Sequence, residues 1–302
     1  MPTFRLAHLS DPHLPPPPLE PGQKLTLKQK LSRRAWRRKA ARHQPQVLEA
    51  ICADILAQQC DHICLTGDLA NFGLPQELAQ ARAWLERLSP PRDLTLSPGN
   101  HDALAPMTGD RTERDRWEPW RPWMEDQSGA FPAVRIRAGV CLVNLCSGVP
   151  TPLLLAQGSL GEDQLARAET VLRQAGEAGL ARILLVHHPV VDGVVSRRKA
   201  LTDAAGLRAV LARAGCELVL HGHDHTSFLG AVEGPGGRSI PIMGAASASS
   251  PGGHDEPASW RLIEITPKDA ESPSAAPFSL RATLRGIDSD GQVRELGRYS
   301  LV

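Results

Sequence analysis

The chain has 302 residues, and its 34 lysine and arginine residues nearly balance its 33 aspartate and glutamate residues, giving a formal net charge of +1. Apolar residues make up 41% of the chain, which is enough for a large core, and no apolar run reaches the roughly 18 residues of a membrane-spanning helix. Charged and polar residues interrupt the amino-terminal segment early, so it lacks the apolar core of a signal peptide, and we expect a soluble cytoplasmic protein.

Short apolar runs alternate with segments of helical periodicity. The runs FRLAHLSD, HICLTGD and DLTLSPGNHD come first, and RILLVHHP and ELVLHGHDH follow later. Between them, PQVLEAICADILAQQ places apolar residues on one helical face behind a proline suited to a helix start. Strands that alternate with helices predict an α/β fold. After about Phe228, short strands between Gly, Pro and Asp turns predict a carboxyl-terminal β-meander that extends or packs against the first sheet.

Two segments depart from this alternation, and we expect both to be insertions in a single domain spanning residues 1–302. The first, at about 19–44, contains nine lysine or arginine residues and no acid between Lys24 and Arg42. The second, at about 105–130, spaces three tryptophans at intervals of three residues. These tryptophans either pack a capping segment onto the body or form an apolar wall for a substrate.

The basic segment allows three interpretations. It could be a solvated helix neutralised by acids elsewhere, a nucleic-acid-binding arm, or a cap that attracts a phosphorylated substrate or an anionic membrane surface. Leu27, Leu31 and Ala35, with Trp36 beside them, would form a narrow apolar stripe on that helix. A second basic cluster, Arg197-Arg198-Lys199, follows the HHP sequence.

Polar residues concentrate where the apolar strands end. In chain order they are Asp11, His13, Asp68, Asn100, His101, Asp102, His187, His188, His221, His223 and His225. Each motif alone is weak, since an Asp–His pair or an Asp after Gly often serves structure only. The carboxyl ends of strands in an α/β sheet converge on one crevice, however, and five strand ends of this kind together indicate a site.

The chemistry of these side chains indicates metal binding. Carboxylate, amide and neutral imidazole ligands suit Mn, Fe, Zn or Co, whereas the six cysteines lack the paired spacing of a structural zinc site. There are more candidate ligands than one ion requires. The set therefore predicts two divalent ions about 3.5–4 Å apart, an arrangement suited to phosphoryl displacement.

The ordered blocks resemble those of the calcineurin-like metallophosphoesterase superfamily. They are Asp11-x-His13, Gly67-Asp68, Gly99-Asn100-His101-Asp102, His187 and Gly222-His223-Asp224-His225. The resemblance implies a two-sheet α/β sandwich with αββα layers. It implies a first ion held by Asp11, His13, Asp68 and His225, and a second held by Asp68, Asn100, His187 and His223. A hydroxide bridging the ions would attack phosphorus directly, and His101, oriented by Asp102, would protonate the leaving oxygen or stabilise the transition state.

The remaining candidates surround this core. We interpret His188 as a support for the ligands or a substrate contact, and His221 as a strand-end core residue. His254 could lie at the substrate rim, and other histidines, including His43, have no assigned role. Candidate substrate-binding bases are Arg33, Arg34, Arg37, Arg197 and Arg198.

The predicted function is hydrolysis of a small phosphodiester or pyrophosphate-linked molecule. Cyclic nucleotides, glycerophosphodiesters and lipids of the UDP-diacylglucosamine type, the last reached at a membrane surface, are the candidate substrates. Some lipid-processing relatives have arginine where this chain has His101, which weakens the lipid alternative. A nuclease is disfavoured by the neutral net charge, and a non-catalytic scaffold is disfavoured because all expected ligands are present.

Overall fold

The structure, a computed structural model, describes residues 2–107, 113–124, 130–268 and 277–301. Twelve strands in these ranges form two six-stranded sheets, in the orders β12-β11-β10-β1-β2-β3 and β4-β5-β6-β7-β9-β8. The strands are β1 (Phe4–Leu9), β2 (His62–Leu65), β3 (Leu94–Leu96), β4 (Ala133–Arg137), β5 (Val140–Asn144), β6 (Ala181–Leu185), β7 (Leu218–His221), β8 (Leu229–Glu233), β9 (Ser239–Gly244), β10 (Ser259–Pro267), β11 (Phe278–Ile287) and β12 (Val293–Ser300).

The same ranges contain seven α-helices. They are α1 (Leu27–Lys39), α2 (Pro45–Ala57), α3 (Pro75–Leu88), α4 (Glu113–Arg116), α5 (Arg121–Met124), α6 (Glu162–Glu177) and α7 (Ala204–Ala214). Proline occupies the first turn of α2 and α3, where its missing N–H costs nothing. Of the helices described, none combines the length and apolarity needed to cross a membrane.

The elements stack in four layers. Leu6 of β1 and Ile263 of β10 pack with Leu185 of β6 and Leu220 of β7 in a core between the two sheets. A second core joins α2 and α3 to the other face of the first sheet, and a third joins α6 and α7 to the second sheet. The predicted αββα sandwich is therefore confirmed.

The carboxyl-terminal strands divide between the two sheets. β10, β11 and β12 pair antiparallel in sequence order beside β1, as the meander prediction expects. β9 instead pairs parallel with β7, and β8 folds back onto β9 as the edge of the second sheet. This pairing buries Ile240 and Ile242 in the core that α6 and α7 form with the second sheet. The burial of these apolar side chains stabilises the position of β9 in that sheet.

The tryptophans pack a segment onto the body. Trp120 and Trp123 are fully buried, and their indole N–H groups donate to the carbonyls of Leu78 (2.9 Å) and Ser89 (3.1 Å). These two side chains are therefore core residues and not a substrate wall. Residues 108–112 and 125–129 of the predicted insertion lie outside the described residues.

Candidate metal centre

Loops at the carboxyl ends of β1, β2, β3, β6 and β7 meet at one end of the sandwich. Backbone hydrogen bonds tie them together: the Asp11 N–H donates to the Gly67 carbonyl (3.1 Å), and the Gly222 N–H donates to the His187 carbonyl (3.0 Å). The His101 N–H donates to Asp68 Oδ1 at 2.8 Å. The five sequence blocks therefore form one constellation contributed by both sheets.

Several predicted ligands adopt a backbone conformation that is unusual for their residue type. Positive φ angles occur at Asp11 (50°), His13 (42°), Asp68 (55°), His223 (75°) and His225 (57°). Such a conformation costs a non-glycine residue about 1–3 kcal/mol and persists only where the surroundings impose it. These residues make up five of the eight non-glycine positions with positive φ in the described ranges, so local strain concentrates at the site.

The positive φ angles also separate the three histidines of the HGHDH segment. A fully extended backbone would place all three on one side of the chain. The strand instead ends at His221, whose Nδ1 lies 3.0 Å from the Gly222 carbonyl and whose ring packs on Phe228. The turn after it carries His223 and His225 into the constellation and leaves His221 outside.

Two glycines allow the loops to approach closely. A Cβ at Gly99 would overlap the Asp68 carboxylate, and a Cβ at Gly222 would overlap Ser10 Oγ and Asp11 Oδ2. Any larger residue at either position would displace a buried carboxylate. This is the physical reason for glycine in these two blocks.

We call Asp11, His13 and His225 the first ligand group. His13 Nε2 lies 3.3 Å from His225 Nε2, and His225 Nε2 lies 3.4 Å from Asp11 Oδ1. On the far side of each ring, His13 Nδ1 lies 3.1 Å from Asn71 Oδ1 and His225 Nδ1 lies 3.5 Å from Asp255 Oδ2. Because these oxygens accept from the Nδ1 atoms, both Nε2 atoms face a common point beside Asp11.

We call Asp68, Asn100, His187 and His223 the second ligand group. His187 Nε2 lies 3.3 Å from Asp68 Oδ2 and 3.2 Å from Asn100 Oδ1. His187 Nδ1 lies 2.6 Å from the Thr66 carbonyl, and His223 Nε2 lies 2.9 Å from the Lys199 carbonyl. Each carbonyl accepts a hydrogen bond from the ring N–H, which leaves His187 Nε2 and His223 Nδ1 as the free ligand atoms.

These residues fit divalent cations. Asp11 and Asp68 are fully buried, and Asp11 Oδ1 has no hydrogen-bond partner in the described part of the chain. Burial opposes their ionisation, yet neighbouring imidazoles hold the pKa of both carboxyls below the usual value. Burial likewise opposes the charge on His187 and His225, but Asp68 and Asp11 raise their pKa values to about 9 and about 10. A cation at these atoms would replace the protons.

The structure corrects the expected role of Asp102. Its carboxylate accepts the backbone N–H groups of Asp68 (2.9 Å), Ala70 (2.8 Å) and Gly99 (2.8 Å). Burial and the nearby Asp68 carboxylate raise its pKa to about 8. Asp102 therefore holds the loops together and does not orient His101.

The ring of His101 is oriented by a backbone group instead. Its Nδ1 lies 2.9 Å from the Asn71 carbonyl, which accepts the Nδ1 proton. The ring stands edge-on to His13, with centroids 5.1 Å apart, and the side chain is partly exposed. Its Nε2 is therefore the atom available to a substrate.

The structure also removes the substrate-contact interpretation of His188. This side chain is fully buried, with Nδ1 2.8 Å from Ser147 Oγ and Nε2 3.2 Å from the Ala156 carbonyl. Its ring lies 4.4 Å from that of His223. With both nitrogens engaged, His188 supports the ligand histidines and does not reach a substrate.

Sequence reasoning missed His43. It follows α1, and its ring stacks on Trp36 with centroids 5.2 Å apart and an interplanar angle of 6°. It lies 4.4 Å from the His13 ring, and its Nδ1 is 2.9 Å from Ser249 Oγ. His13, His43 and His225 also form one of the groups able to hold an ion. A lone histidine has no spacing signal that could have indicated this.

The basic candidates take two positions around the centre. Arg33 is half-buried, its guanidinium lies 5.4 Å from the centre of the Phe72 ring, and its buried Nη1 has no hydrogen-bond partner among the described residues. Arg34 and Arg37 are exposed on α1. Arg197 and Arg198 are exposed in the loop whose Lys199 carbonyl contacts His223, so they lie beside the second ligand group.

Comparison with known proteins agrees with this geometry. The family described as calcineurin-like phosphoesterase matches residues 4–227. A Synechococcus protein called a probable cyclic nucleotide phosphodiesterase is 26% identical over 245 residues, which cover 80% of this chain and 82% of that protein.

Solved structures share the fold at low sequence identity. A dimetal phosphatase from Danio rerio is 12% identical and superposes with a TM-score of 0.58, covering 99% of this chain and 98% of the other. A purple acid phosphatase from yellow lupin (Lupinus luteus) seeds is 13% identical with a TM-score of 0.54, covering 99% of this chain and 53% of the other.

Proposed function

The chain belongs to the calcineurin-like phosphoesterase family and is a metal-dependent phosphoester hydrolase, and we propose that it hydrolyses a small phosphodiester at two divalent ions. The observation that carries the proposal concerns Asp68. This residue belongs both to a cluster with Asp11 and His13 and to a cluster with His187 and His223. A carboxylate shared by two clusters is what a pair of bridged ions requires.

The two ions would share Asp68 and otherwise have separate ligands. Asp11, His13, Asp68 and His225 would hold the first, and Asp68, Asn100, His187 and His223 would hold the second; manganese, iron, zinc or cobalt all suit these donors. When bound, the ions would activate a water molecule for attack on phosphorus and offset the charge that develops there.

His101 supplies the proton that the leaving oxygen needs. The Asn71 carbonyl accepts a hydrogen bond from Nδ1, so Nε2 faces outward, where its N–H would act as the acid. Because the His101 N–H also donates to Asp68 Oδ1, the backbone that carries this acid is fixed to the ligand shared by both clusters.

Arg33 and His43 complete the substrate side. Arg33 Nη1, which has no hydrogen-bond partner among the described residues, is a buried cationic donor that an anionic oxygen of a phosphodiester would stabilise. His43 offers a ring held by Trp36 and Ser249 next to His13. Trp36 connects the two residues, since its ring stacks on His43 and lies 6.2 Å from the ring of Phe72, which the Arg33 guanidinium overlies. We expect both to contact the group esterified to phosphorus.

The named relative favours a cyclic nucleotide as the small phosphodiester. A second candidate is a lipid-linked pyrophosphate of the UDP-diacylglucosamine type, which is favoured by exposed leucines beside the site. The cytoplasmic location stays a prediction.

The test is hydrolysis by protein loaded with manganese. We expect turnover of bis-para-nitrophenyl phosphate that a chelator abolishes and fresh metal restores. A panel of cyclic AMP, a glycerophosphodiester and UDP-diacylglucosamine then separates the substrate classes. Metal-loaded protein that hydrolyses none of these esters would overturn the proposal.

A further inference from the structure

Four leucines at two segments beside the metal centre are left in contact with solvent. Leu27 (65% exposed) and Leu31 (43%) lie on α1, and Leu153 (41%) and Leu154 (75%) lie in the turn at 152–155. They account for four of the ten exposed large apolar residues in the described ranges. We call these four residues the leucine surface.

A lysine joins the two segments. Lys28 Nζ donates to the Thr151 carbonyl (2.9 Å), to Thr151 Oγ1 (2.6 Å) and to the Leu155 carbonyl (3.0 Å). Leu27 is the chain neighbour of this lysine, and Leu153 and Leu154 lie between its two partners. Lys28 therefore ties the two segments that carry the leucines to each other.

Helix periodicity explains why the leucines of α1 face outward. Gln29, Arg33 and Trp36, spaced by four and three residues, turn toward the body and are buried or half-buried. Leu27, Leu31, Arg34 and Arg38 follow the same spacing on the opposite face, and all four are exposed. The outer face of α1 therefore has leucines toward its amino-terminal end and arginines toward its carboxyl-terminal end.

The turn presents its leucine under strain. Leu154 has a φ of +66°, a region that favours glycine or asparagine, and it is the most exposed of the large apolar residues. Neither its backbone nor its side chain benefits from this position in the isolated chain. An apolar environment outside the chain would account for the exposed side chain.

The positive charge around the leucine surface indicates which apolar environment would cover it. Helix α1 contains seven lysine or arginine residues and no acid, and Arg197, Arg198 and Lys199 are exposed on a neighbouring loop. We propose that the leucine surface and these bases dock the protein on the surface of an anionic lipid bilayer, with the leucines inserted among the headgroups. A symmetric dimer through this face would instead bring two cationic helices together.

The segments that carry these leucines and bases adjoin the metal centre at three points. Trp36 of α1 lies 6.2 Å from the ring of His13. The Ala156 carbonyl, next to the leucine turn, lies 3.2 Å from His188 Nε2, and the Lys199 carbonyl lies 2.9 Å from His223 Nε2. Docking would therefore place the site beside the headgroups. Docking of this kind does not depend on which ester the protein hydrolyses.

The test is sedimentation of metal-loaded protein with vesicles. We expect binding to vesicles of equal parts phosphatidylcholine and phosphatidylglycerol that weakens at high salt, and little binding to phosphatidylcholine alone. Leu27→Ser combined with Leu154→Ser should lower the partition coefficient about ten-fold or more. Lys30→Gln combined with Arg38→Gln should lower it about ten-fold.

Matched variants control for general surface effects. Leu296→Ser replaces a leucine of similar exposure (46%) on β12, and Arg238→Gln removes an exposed base at the start of β9, away from the carboxyl ends of the strands. Both should bind vesicles as the unaltered protein does. The two-leucine variant should keep the metal content and the hydrolysis of a soluble ester, which separates lost docking from lost folding.

Three outcomes overturn the proposal. Metal-loaded protein that ignores anionic vesicles contradicts it, whether or not the protein is an active hydrolase. Vesicle binding that is equal in the two-leucine variant and Leu296→Ser assigns docking to another surface. Self-association at working concentration that Leu27→Ser abolishes assigns the surface to a second copy of the chain.

Discussion

The two ligand groups differ in what holds their histidines. In the first group, side chains orient the rings: Asn71 holds His13 and Asp255 approaches His225. In the second group, backbone carbonyls do so, that of Thr66 for His187 and that of Lys199 for His223. The second group is buried throughout, whereas His225 is half-buried and His43 lies beside it.

The position of the second ligand group is therefore set by the backbone, whereas the geometry of the first ligand group can be changed by substituting side chains. A carbonyl donated by the backbone persists whatever side chain is present, so the second group depends on the loops themselves. The first group depends on individual side chains and borders α1, where a substrate would enter. We expect variants near the first group to change affinity and specificity, and variants in the second to remove the site.

The largest effect should come from the residue that joins the two groups. Asp68→Asn removes the negative charge that both clusters share. We expect kcat/KM to fall about a thousand-fold or more. Metal analysis should show that both ions are lost. Asp11→Asn is the comparison, because it should deplete one ion only; equal losses in the two variants would contradict a shared ligand.

Asn100 and His101 are neighbours with different expected roles. Asn100→Ala and His101→Ala should both lower kcat, the second by about 100- to 10,000-fold if His101 is the acid. Only Asn100→Ala should reduce metal content, because Asn100 Oδ1 lies in the second ligand group. Metal loss in His101→Ala would contradict its assignment as a proton donor outside the ligand shell.

Asp255 tests the side-chain-held group. The bond to His225 holds its pKa below the usual range, so it is a charged partner for the ring. Asp255→Asn should weaken metal binding at the first group about 10- to 100-fold and leave the second ion in place, as titration with a chelator would measure. Asp192→Asn, at an exposed carboxylate, is the matched control.

His43 tests the proposed contact with the substrate. His43→Phe keeps an aromatic ring on Trp36 but removes both ring nitrogens, including the one bonded to Ser249. We expect KM for a phosphodiester to increase about ten-fold, because the variant loses a hydrogen bond to the charged substrate. Both ions should remain. A fall in metal content instead would identify His43 as a further ligand.

The smallest effect should arise in the scaffold, at the amino end of β2 and away from the metal centre. Burial, and then Arg135, lower the pKa of His62 at the start of β2 from 6.5 to about 3. Between pH 6.5 and 3, His62 is protonated in the unfolded state but not in the folded state. The free energy of unfolding therefore decreases as pH falls from 6.5 toward 3. His62→Gln should reduce the slope of unfolding free energy against pH by up to about 1.4 kcal/mol per unit, measured by urea unfolding. Equal slopes would contradict this.

The sequence alone determined the chemistry of the site and the class of the fold. Alternating strands and helices predicted the layers, because periodicity records which faces are buried. The blocks around Asp11, Asp68 and His187 indicated a metal centre because few other functions need such donors at five strand ends. These patterns are local, so they can be recognised without knowledge of contacts between distant segments.

Tertiary structure decided which side chain meets which. His43 reaches His13 because the Gln44 N–H donates to the Ser249 carbonyl at 2.8 Å, a contact between segments far apart in sequence. The Asn71 carbonyl, and not Asp102, holds His101, because the backbone after β2 passes beside it. Long-range pairings of this kind follow from how loops close over the sheets, and no spacing within a single segment encodes them.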